Sequence, residues 1–79
     1  MSTHEIQIPK LGMDTTDCEV IAWLVKVGDR VEKGAELLHV ETEKANVAIE
    51  APVAGVVTGI RVQAGDRVEV GASVGTIEA

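Results

Sequence analysis

The chain contains an internal repeat, and this repeat limits its possible folds more than any other feature of the sequence. Residues 28–35 read GDRVEKGA and residues 65–72 read GDRVEVGA, so seven of the eight aligned residues are identical at an offset of 37. The apolar stretch 20–25 matches residues 57–62 at the same offset. The chain is therefore built from two similar halves, and we expect a fold with pseudo-twofold symmetry.

The first half holds an insertion. Residues 6–12 match residues 49–55 at an offset of 43 rather than 37, which places six extra residues within 13–19. We expect the insertion to form a loop that leads into a strand at Val20, since loops tolerate insertions best. Cys18 is then expected to be exposed in that loop.

Each half reads as short strands joined by turns. Ile6 and Ile8 alternate with polar residues, which indicates a strand with one buried face. Residues 20–25 form an almost continuous apolar run, consistent with a strand buried on both faces or lying at a sheet edge. Residues 36–41 and 73–78 are also predicted as strands, because the glycines around the second copy disfavour a helix.

The composition agrees with an all-β fold. The 79 residues include a single aromatic residue, Trp23, so the core must consist mainly of aliphatic side chains, many of them β-branched. We predict one domain over residues 1–79, in which two small antiparallel sheets face each other as a flattened β-barrel or sandwich. Trp23 is expected to fill part of the core, since it lies in the longest apolar run.

The charge balance excludes several classes of partner. Thirteen acidic residues against seven basic ones give a formal net charge of −6, which argues against binding to nucleic acid or to an anionic membrane surface. No apolar run reaches the roughly 18 residues of a membrane span, and the first residues do not resemble a signal peptide. The sequence therefore predicts a cytoplasmic protein.

The symmetry also predicts an exposed turn. A twofold axis relates the junction between the halves, residues 42–47, to the chain termini, so the junction should form a hairpin turn on the opposite side of the domain. Lys44 lies near its tip and is the only lysine in the junction. A lysine at such a place is most often a solvated charge and nothing more.

The residues around Lys44 resemble the lipoyl-lysine turn of lipoyl domains. Four segments carry the resemblance, and they are ETEKANV at 41–47, IPKLGM at 8–13, WLVKVGDRV at 23–31 and EAPVAG at 50–55. It implies a barrel-sandwich hybrid fold with the lysine at a hairpin tip. It also implies lipoate joined to Lys44 as an amide, with Glu43 and Ala45 as flanking recognition residues. Glu43 stands where the family usually has aspartate.

What the resemblance implies is a carrier rather than an enzyme with a catalytic site of its own. The lipoyl arm would carry acyl groups and electrons among a thiamine-diphosphate-dependent dehydrogenase, an acyltransferase catalytic domain and dihydrolipoamide dehydrogenase, in a 2-oxo acid or acetoin dehydrogenase complex. A lipoate ligase or lipoyl transferase would attach the cofactor. The domain would then be the N-terminal piece of a longer acyltransferase.

Other interpretations remain open on the sequence. Biotin carrier domains share the fold but flank the lysine with methionines, where this chain has Glu43 and Ala45. The related glycine-cleavage carrier protein ranks below the biotin carrier. An unmodified barrel-sandwich structural module is a further alternative, and an independent enzyme ranks below it. No metal site is expected, because His4, His39 and Cys18 show no ligand spacing.

Two surface features are candidates for partner recognition. Glu41, Glu43 and Glu50 are predicted either to steer enzymes with basic active-site mouths or to form an ordinary solvated acidic face. In the resembled family, the loop that corresponds to residues 13–19 lies near the lysine hairpin and helps the dehydrogenase recognise its carrier. The alternative for this loop is a tolerated surface insertion.

Overall fold

The computed structural model describes residues 2–11, 15–43 and 45–79. The described residues form eight strands, and none of them belongs to a helix that could cross a membrane. The strands are β1 (Thr3–Gln7), β2 (Asp17–Trp23), β3 (Arg30–Val31), β4 (Glu36–Glu41), β5 (Asn46–Glu50), β6 (Gly55–Ile60), β7 (Arg67–Glu69) and β8 (Ser73–Glu78). The predictions for residues 36–41 and 73–78 are confirmed with the same bounds.

The strands form two four-stranded antiparallel sheets, as predicted. One sheet has the order β1-β8-β6-β3 and the other the order β5-β4-β2-β7. The repeat relates β1 to β5, β2 to β6, β3 to β7 and β4 to β8, so each sheet is the twofold image of the other. Within the described parts of the chain no strand pairing joins the two sheets, and the fold is a sandwich rather than a closed barrel.

Backbone hydrogen bonds show the same symmetry at the two Gly-Asp turns. The amide of Gly28 donates to the carbonyl oxygen of Val57 at 2.7 Å, and the amide of Gly65 donates to that of Val20 at 2.7 Å. Both glycines have positive φ, 98° and 95°, a conformation that residues with a Cβ rarely adopt. The repeated glycines are therefore required by the turn, and each turn pairs with the other half of the chain.

The core lies between the sheets and is entirely aliphatic apart from one thiol. No charged or polar side chain is buried among the described residues. Trp23 is only partly buried and packs against the margin of this core. The buried residues are Ile6, Ile8, Cys18, Val20, Val31, Leu37, Leu38, Val40, Ile49, Ala51, Val57, Val68, Val74 and Ile77.

The prediction for residues 20–25 is wrong in two respects. Strand β2 lies between β4 and β7, so it is an interior strand and not an edge. Its burial alternates, with Val20 fully buried and Ile21 40% exposed, so only one face is covered. The apolar run therefore exposes two large side chains, Ile21 at 40% and Leu24 at 48%.

The prediction that the insertion is a loop up to Glu19 is also wrong. Strand β2 begins at Asp17, and Asp17 lies opposite Glu69 in the register with β7. Cys18 is fully buried in this strand, not exposed, because it occupies the inward-facing position between two outward-facing acidic residues. Of the remaining insertion, residues 13 and 14 lie outside the described residues.

Candidate functional site

The hairpin that joins β4 to β5 is the candidate site. The last residue of β4, Glu41, pairs with the first residue of β5, Asn46. Strand β4 buries Leu37, Leu38 and Val40, which anchors the hairpin on the core. The four residues 42–45 therefore connect two strands whose positions are fixed by packing.

Thr42 and Ala45 close this connection with three hydrogen bonds. The amide of Thr42 donates to the carbonyl oxygen of Ala45 at 2.9 Å. The hydroxyl of Thr42 donates to the same carbonyl oxygen at 3.1 Å and accepts from the amide of Ala45 at 3.2 Å. Only residues 43 and 44 lie between the two closing residues, so the connection is a tight turn.

The residues around position 44 are open to solvent. Glu43, Ala45 and Asn46 are exposed, and Thr42 is half-buried. Lys44 itself lies outside the described residues, so its place at the hairpin tip stays a prediction. A long arm attached here would need no pocket, and the exposed flanks of the turn fit such an attachment.

The turn is the symmetry mate of the chain termini, as the repeat predicts. At the termini, the amide of Ser2 donates to the carbonyl oxygen of Ala79 at 3.2 Å, and the amide of Ala79 donates to that of Ser2 at 2.9 Å. The repeat offset of 37 residues relates Ala79 to Thr42, and the offset of 43 residues relates Ser2 to Ala45. The two closing pairs lie in different sheets, so the candidate site and the termini belong to opposite sheets of the sandwich.

The acidic residues predicted to steer partners do not all lie together. Glu41 and Glu43 are at the turn and exposed. Glu50 is at the far end of β5, about 13 Å along the strand from Asn46, and lies opposite Glu36. Glu50 therefore belongs to another part of the surface.

Glu19 joins the acidic residues of the turn, and the sequence interpretation missed it. Glu19 is exposed and lies directly opposite Glu41 in the register of β2 with β4. The predicted insertion loop includes Glu19, whereas the alternation of polar and apolar residues before Val20 is a signal of a strand. Two like charges directly opposite each other on a sheet are unfavourable for stability, so this pair is not explained by packing.

An open groove of about 490 Å³ lies elsewhere on the domain. Its lining comes from symmetry-related segments of the two halves, which include Glu5 and Gln7 of β1 and Ala48 and Glu50 of β5. None of the described turn residues, 42, 43 and 45, lines this groove. Across the described residues, no three His, Cys, Asp or Glu side chains lie close enough together to hold a metal ion.

Comparisons with known proteins agree on one family. The family model described as "Biotin-requiring enzyme" matches residues 4–77. The chain is 40% identical over 77 residues to the dihydrolipoyllysine-residue succinyltransferase component of the 2-oxoglutarate dehydrogenase complex of Bartonella vinsonii subsp. berkhoffii. It is 40% identical over 70 residues to the dihydrolipoyllysine-residue acetyltransferase component of the acetoin cleaving system of Bacillus subtilis.

The match covers nearly the whole chain but a small part of these relatives. The match to the succinyltransferase component covers 98% of this chain and 19% of that protein. The match to the acetyltransferase component of the acetoin cleaving system covers 89% of this chain and 18% of that protein. The chain thus spans about a fifth of the length of the curated relatives it matches.

Solved structures show the same fold. The lipoyl domain of the 2-oxoglutarate dehydrogenase complex from Azotobacter vinelandii superposes with a TM-score of 0.76 at 27% identity, over 95% of both chains. Urea carboxylase of Kluyveromyces lactis superposes with a TM-score of 0.83 at 24% identity, over 99% of this chain and 6% of the carboxylase. The second likeness is one of fold alone.

Proposed function

This chain belongs to the biotin/lipoyl attachment-domain family, and we propose that within the family it is a lipoyl carrier domain whose lipoate is amide-linked to Lys44. The observation that carries the proposal is the turn at residues 42–45. It is tightly closed, its described flanks are exposed, and it connects two strands anchored on the core. The curated relatives are named for a dihydrolipoyllysine residue, and Lys44 is the only lysine in this turn.

The residues of the chain suit a carrier because they hold the attachment point without enclosing it. When bound, lipoate supplies a dithiolane that accepts and releases acyl groups and electrons. The aliphatic sandwich gives the hairpin a rigid base. The exposed Glu43 and Ala45 leave the lipoyl arm accessible to the active sites of partner enzymes. Tethering the arm to the complex raises its effective concentration at each site.

The carboxylates at the turn suit partners with basic surfaces. Glu41 and Glu43 lie at the turn and Glu19 lies opposite Glu41, so these three exposed acidic side chains are at the turn or next to it. Complementary charge mainly increases the association rate and the selectivity of docking. The partners in this proposal are the thiamine-diphosphate-dependent dehydrogenase, the acyltransferase catalytic domain, dihydrolipoamide dehydrogenase and the lipoate-attaching enzyme.

The proposal extends to the protein that contains the domain. Because the chain matches about a fifth of its curated relatives, we place it as the lipoyl domain of a longer cytoplasmic dihydrolipoamide acyltransferase. In this arrangement the transfer of the acyl group to its acceptor is catalysed by another domain, and this domain delivers it.

Intact mass spectrometry tests the attachment. The domain would be expressed with a lipoate ligase and lipoate, alongside Lys44→Arg and the matched control Lys33→Arg, which removes another exposed lysine. The wild type and Lys33→Arg should each gain one lipoyl group, and Lys44→Arg should gain none. An unmodified wild type, or a lipoyl group retained in Lys44→Arg, would overturn the proposal.

A parallel expression with a biotin ligase separates the two cofactors of the family. Glu43 and Ala45 flank Lys44 where biotin carriers have methionines, so we expect no biotin on the wild type. Biotin on Lys44 with no lipoylation would instead identify a biotin carrier.

A further inference from the structure

We propose that the hydroxyl of Thr42 is a positioning group for the modification of Lys44, because it fixes the two ends of the turn between which the lysine lies. The inference rests on the proposed function. It concerns the reaction in which an activated lipoyl group, as its adenylate, is transferred to the lysine. In that step Nζ attacks the lipoyl carbonyl carbon, the new amide bond forms, AMP leaves with the electrons of the broken bond, and Nζ releases a proton.

The geometry of the turn gives the hydroxyl this role. It donates to the carbonyl oxygen of Ala45 at 3.1 Å and accepts from the amide of the same residue at 3.2 Å. A third hydrogen bond, from the amide of Thr42 to that carbonyl oxygen, measures 2.9 Å and involves only the backbone. Of the three hydrogen bonds between Thr42 and Ala45, two therefore involve the Thr42 side chain.

The pseudo-twofold axis supplies an internal comparison for these hydrogen bonds. The closing pair at the termini, Ala79 with Ser2, corresponds to Thr42 with Ala45 and is held by two backbone hydrogen bonds of 3.2 and 2.9 Å. Ala79 has no hydroxyl, yet β8 and β1 pair in full up to Thr3 and Glu78. Strand pairing at the termini thus needs no hydroxyl at this position, whereas Thr42 carries one directly before residues 43 and 44.

Fixing the ends of a two-residue tip reduces the conformations that the tip can adopt. A ligase that must place Nζ against a bound adenylate then meets a more uniform substrate, and less entropy is lost on productive binding. Removing the hydroxyl leaves the backbone hydrogen bond and the packing of β4 in place. We therefore expect Thr42→Val to slow lipoylation while the domain stays folded.

Lipoylation kinetics provide the test. Purified unmodified wild type, Thr42→Val and Thr42→Ser would be treated with lipoate ligase, ATP and lipoate, and amide formation followed by intact mass. Valine keeps the shape of threonine without its hydrogen bonds, and serine keeps the hydroxyl. We expect kcat/KM to fall about tenfold in Thr42→Val, because both hydrogen bonds of the hydroxyl are lost, and to stay within about twofold of wild type in Thr42→Ser.

A matched control distinguishes the effect of the Thr42 hydroxyl on lipoylation from the effect of removing a hydroxyl elsewhere on the surface. Thr58 is exposed on β6 in the other sheet, and its hydroxyl lies 2.9 Å from that of Thr76. Thr58→Val should be lipoylated at the wild-type rate. Circular dichroism spectra should show that every variant is fully folded at the assay temperature, even where the melting temperature falls by a few degrees.

Three results would overturn the inference. They are lipoylation of Thr42→Val at the wild-type rate, an equal slowing in Thr42→Ser, and a Thr42→Val protein that is slow only because it is unfolded. The last would mean that the hydroxyl supports the fold rather than the reaction. A wild type that no lipoate ligase modifies would instead count against the proposed function, so the two failures are distinguishable.

Discussion

The indole Nε1 of Trp23 donates a hydrogen bond of 2.9 Å to the backbone carbonyl oxygen of Val62, and this links strand β2 of the first half to the segment after β6 in the second. Trp23 also packs against the margin of the core, where no other aromatic residue is available. The side chain thus contributes both apolar contact and a hydrogen bond between the halves.

Trp23→Phe should destabilise the domain by about 1–3 kcal/mol, because the carbonyl of Val62 loses its partner and the core margin loses volume. Urea denaturation followed by circular dichroism measures the change. As a control, Leu24→Ala alters a neighbouring side chain that is 48% exposed and should cost much less. Equal stability of Trp23→Phe and wild type would contradict the assignment of Trp23 to the margin of the core.

Much of the fold follows from local patterns and the repeat. The bounds of β4 and β8 could be predicted because the two copies constrain each other, and the turn after Glu41 follows from the symmetry with the termini. The outward direction of Ile21 could not be predicted, because a continuous apolar run does not show which of its alternating residues face the core. Burial of Cys18 does not follow from the sequence, because the insertion suggests a loop, whereas pairing with β7 extends the strand into it.

The candidate site is also predictable from the sequence only in part. The exposed turn and its flanking Glu43 and Ala45 are visible in the sequence, because they are local. The closing hydrogen bonds of Thr42 and the position of Glu19 opposite Glu41 depend on strand register, which a single sequence does not specify.

The Cys18 thiol should make stability depend on pH in the alkaline range. Burial raises the pKa of the Cys18 thiol above its ordinary value of about 9, the carboxylate of Asp17 raises it further, and Arg67 opposes the shift. Above about pH 9 the unfolded chain releases this proton while the folded domain retains it. The stabilising contribution is therefore full below that pH and is lost as the pH rises towards the folded-state pKa.

Urea titrations from pH 8 to pH 10.5 measure this dependence. The difference in unfolding free energy between wild type and Cys18→Ala should shrink as the pH rises, because only the wild type carries the thiol. In the folded wild type the thiol should also react slowly with Ellman's reagent, and quickly once urea unfolds the domain. A rapid reaction in the folded state would show that Cys18 is accessible.

Replacing Ile21 by threonine, the residue type at its symmetry-related position, tests whether the exposed isoleucine contributes to stability. Ile21 is 40% exposed at the bulge of β2, and the repeat relates it to Thr58 at the bulge of β6. Ile21→Thr should change the unfolding free energy by no more than about 0.5 kcal/mol. The adjacent Val20→Thr places a hydroxyl at a fully buried position and should cost about 1–3 kcal/mol.

Thermal denaturation compares the two threonine variants directly. A large shift in melting temperature for Val20→Thr and almost none for Ile21→Thr is the expected pattern. The reverse order would contradict the alternation of burial along β2.

Close approach of β6 and β8 explains why Gly75 stands where the first half has Leu38. A Cβ on Gly75 would lie 2.5 Å from the carbonyl oxygen of Gly59 and 3.4 Å from the ring of Trp23. Gly75→Ala should therefore force the backbones apart and cost about 1–3 kcal/mol, as overpacking of a core does. At Gly59 the nearest atom to an added Cβ is the Thr76 hydroxyl at 2.9 Å, a side-chain atom that moves more easily than backbone. Melting temperatures should fall clearly in Gly75→Ala and less in Gly59→Ala, and an equal or smaller fall in Gly75→Ala would show that the two strands can separate at little cost.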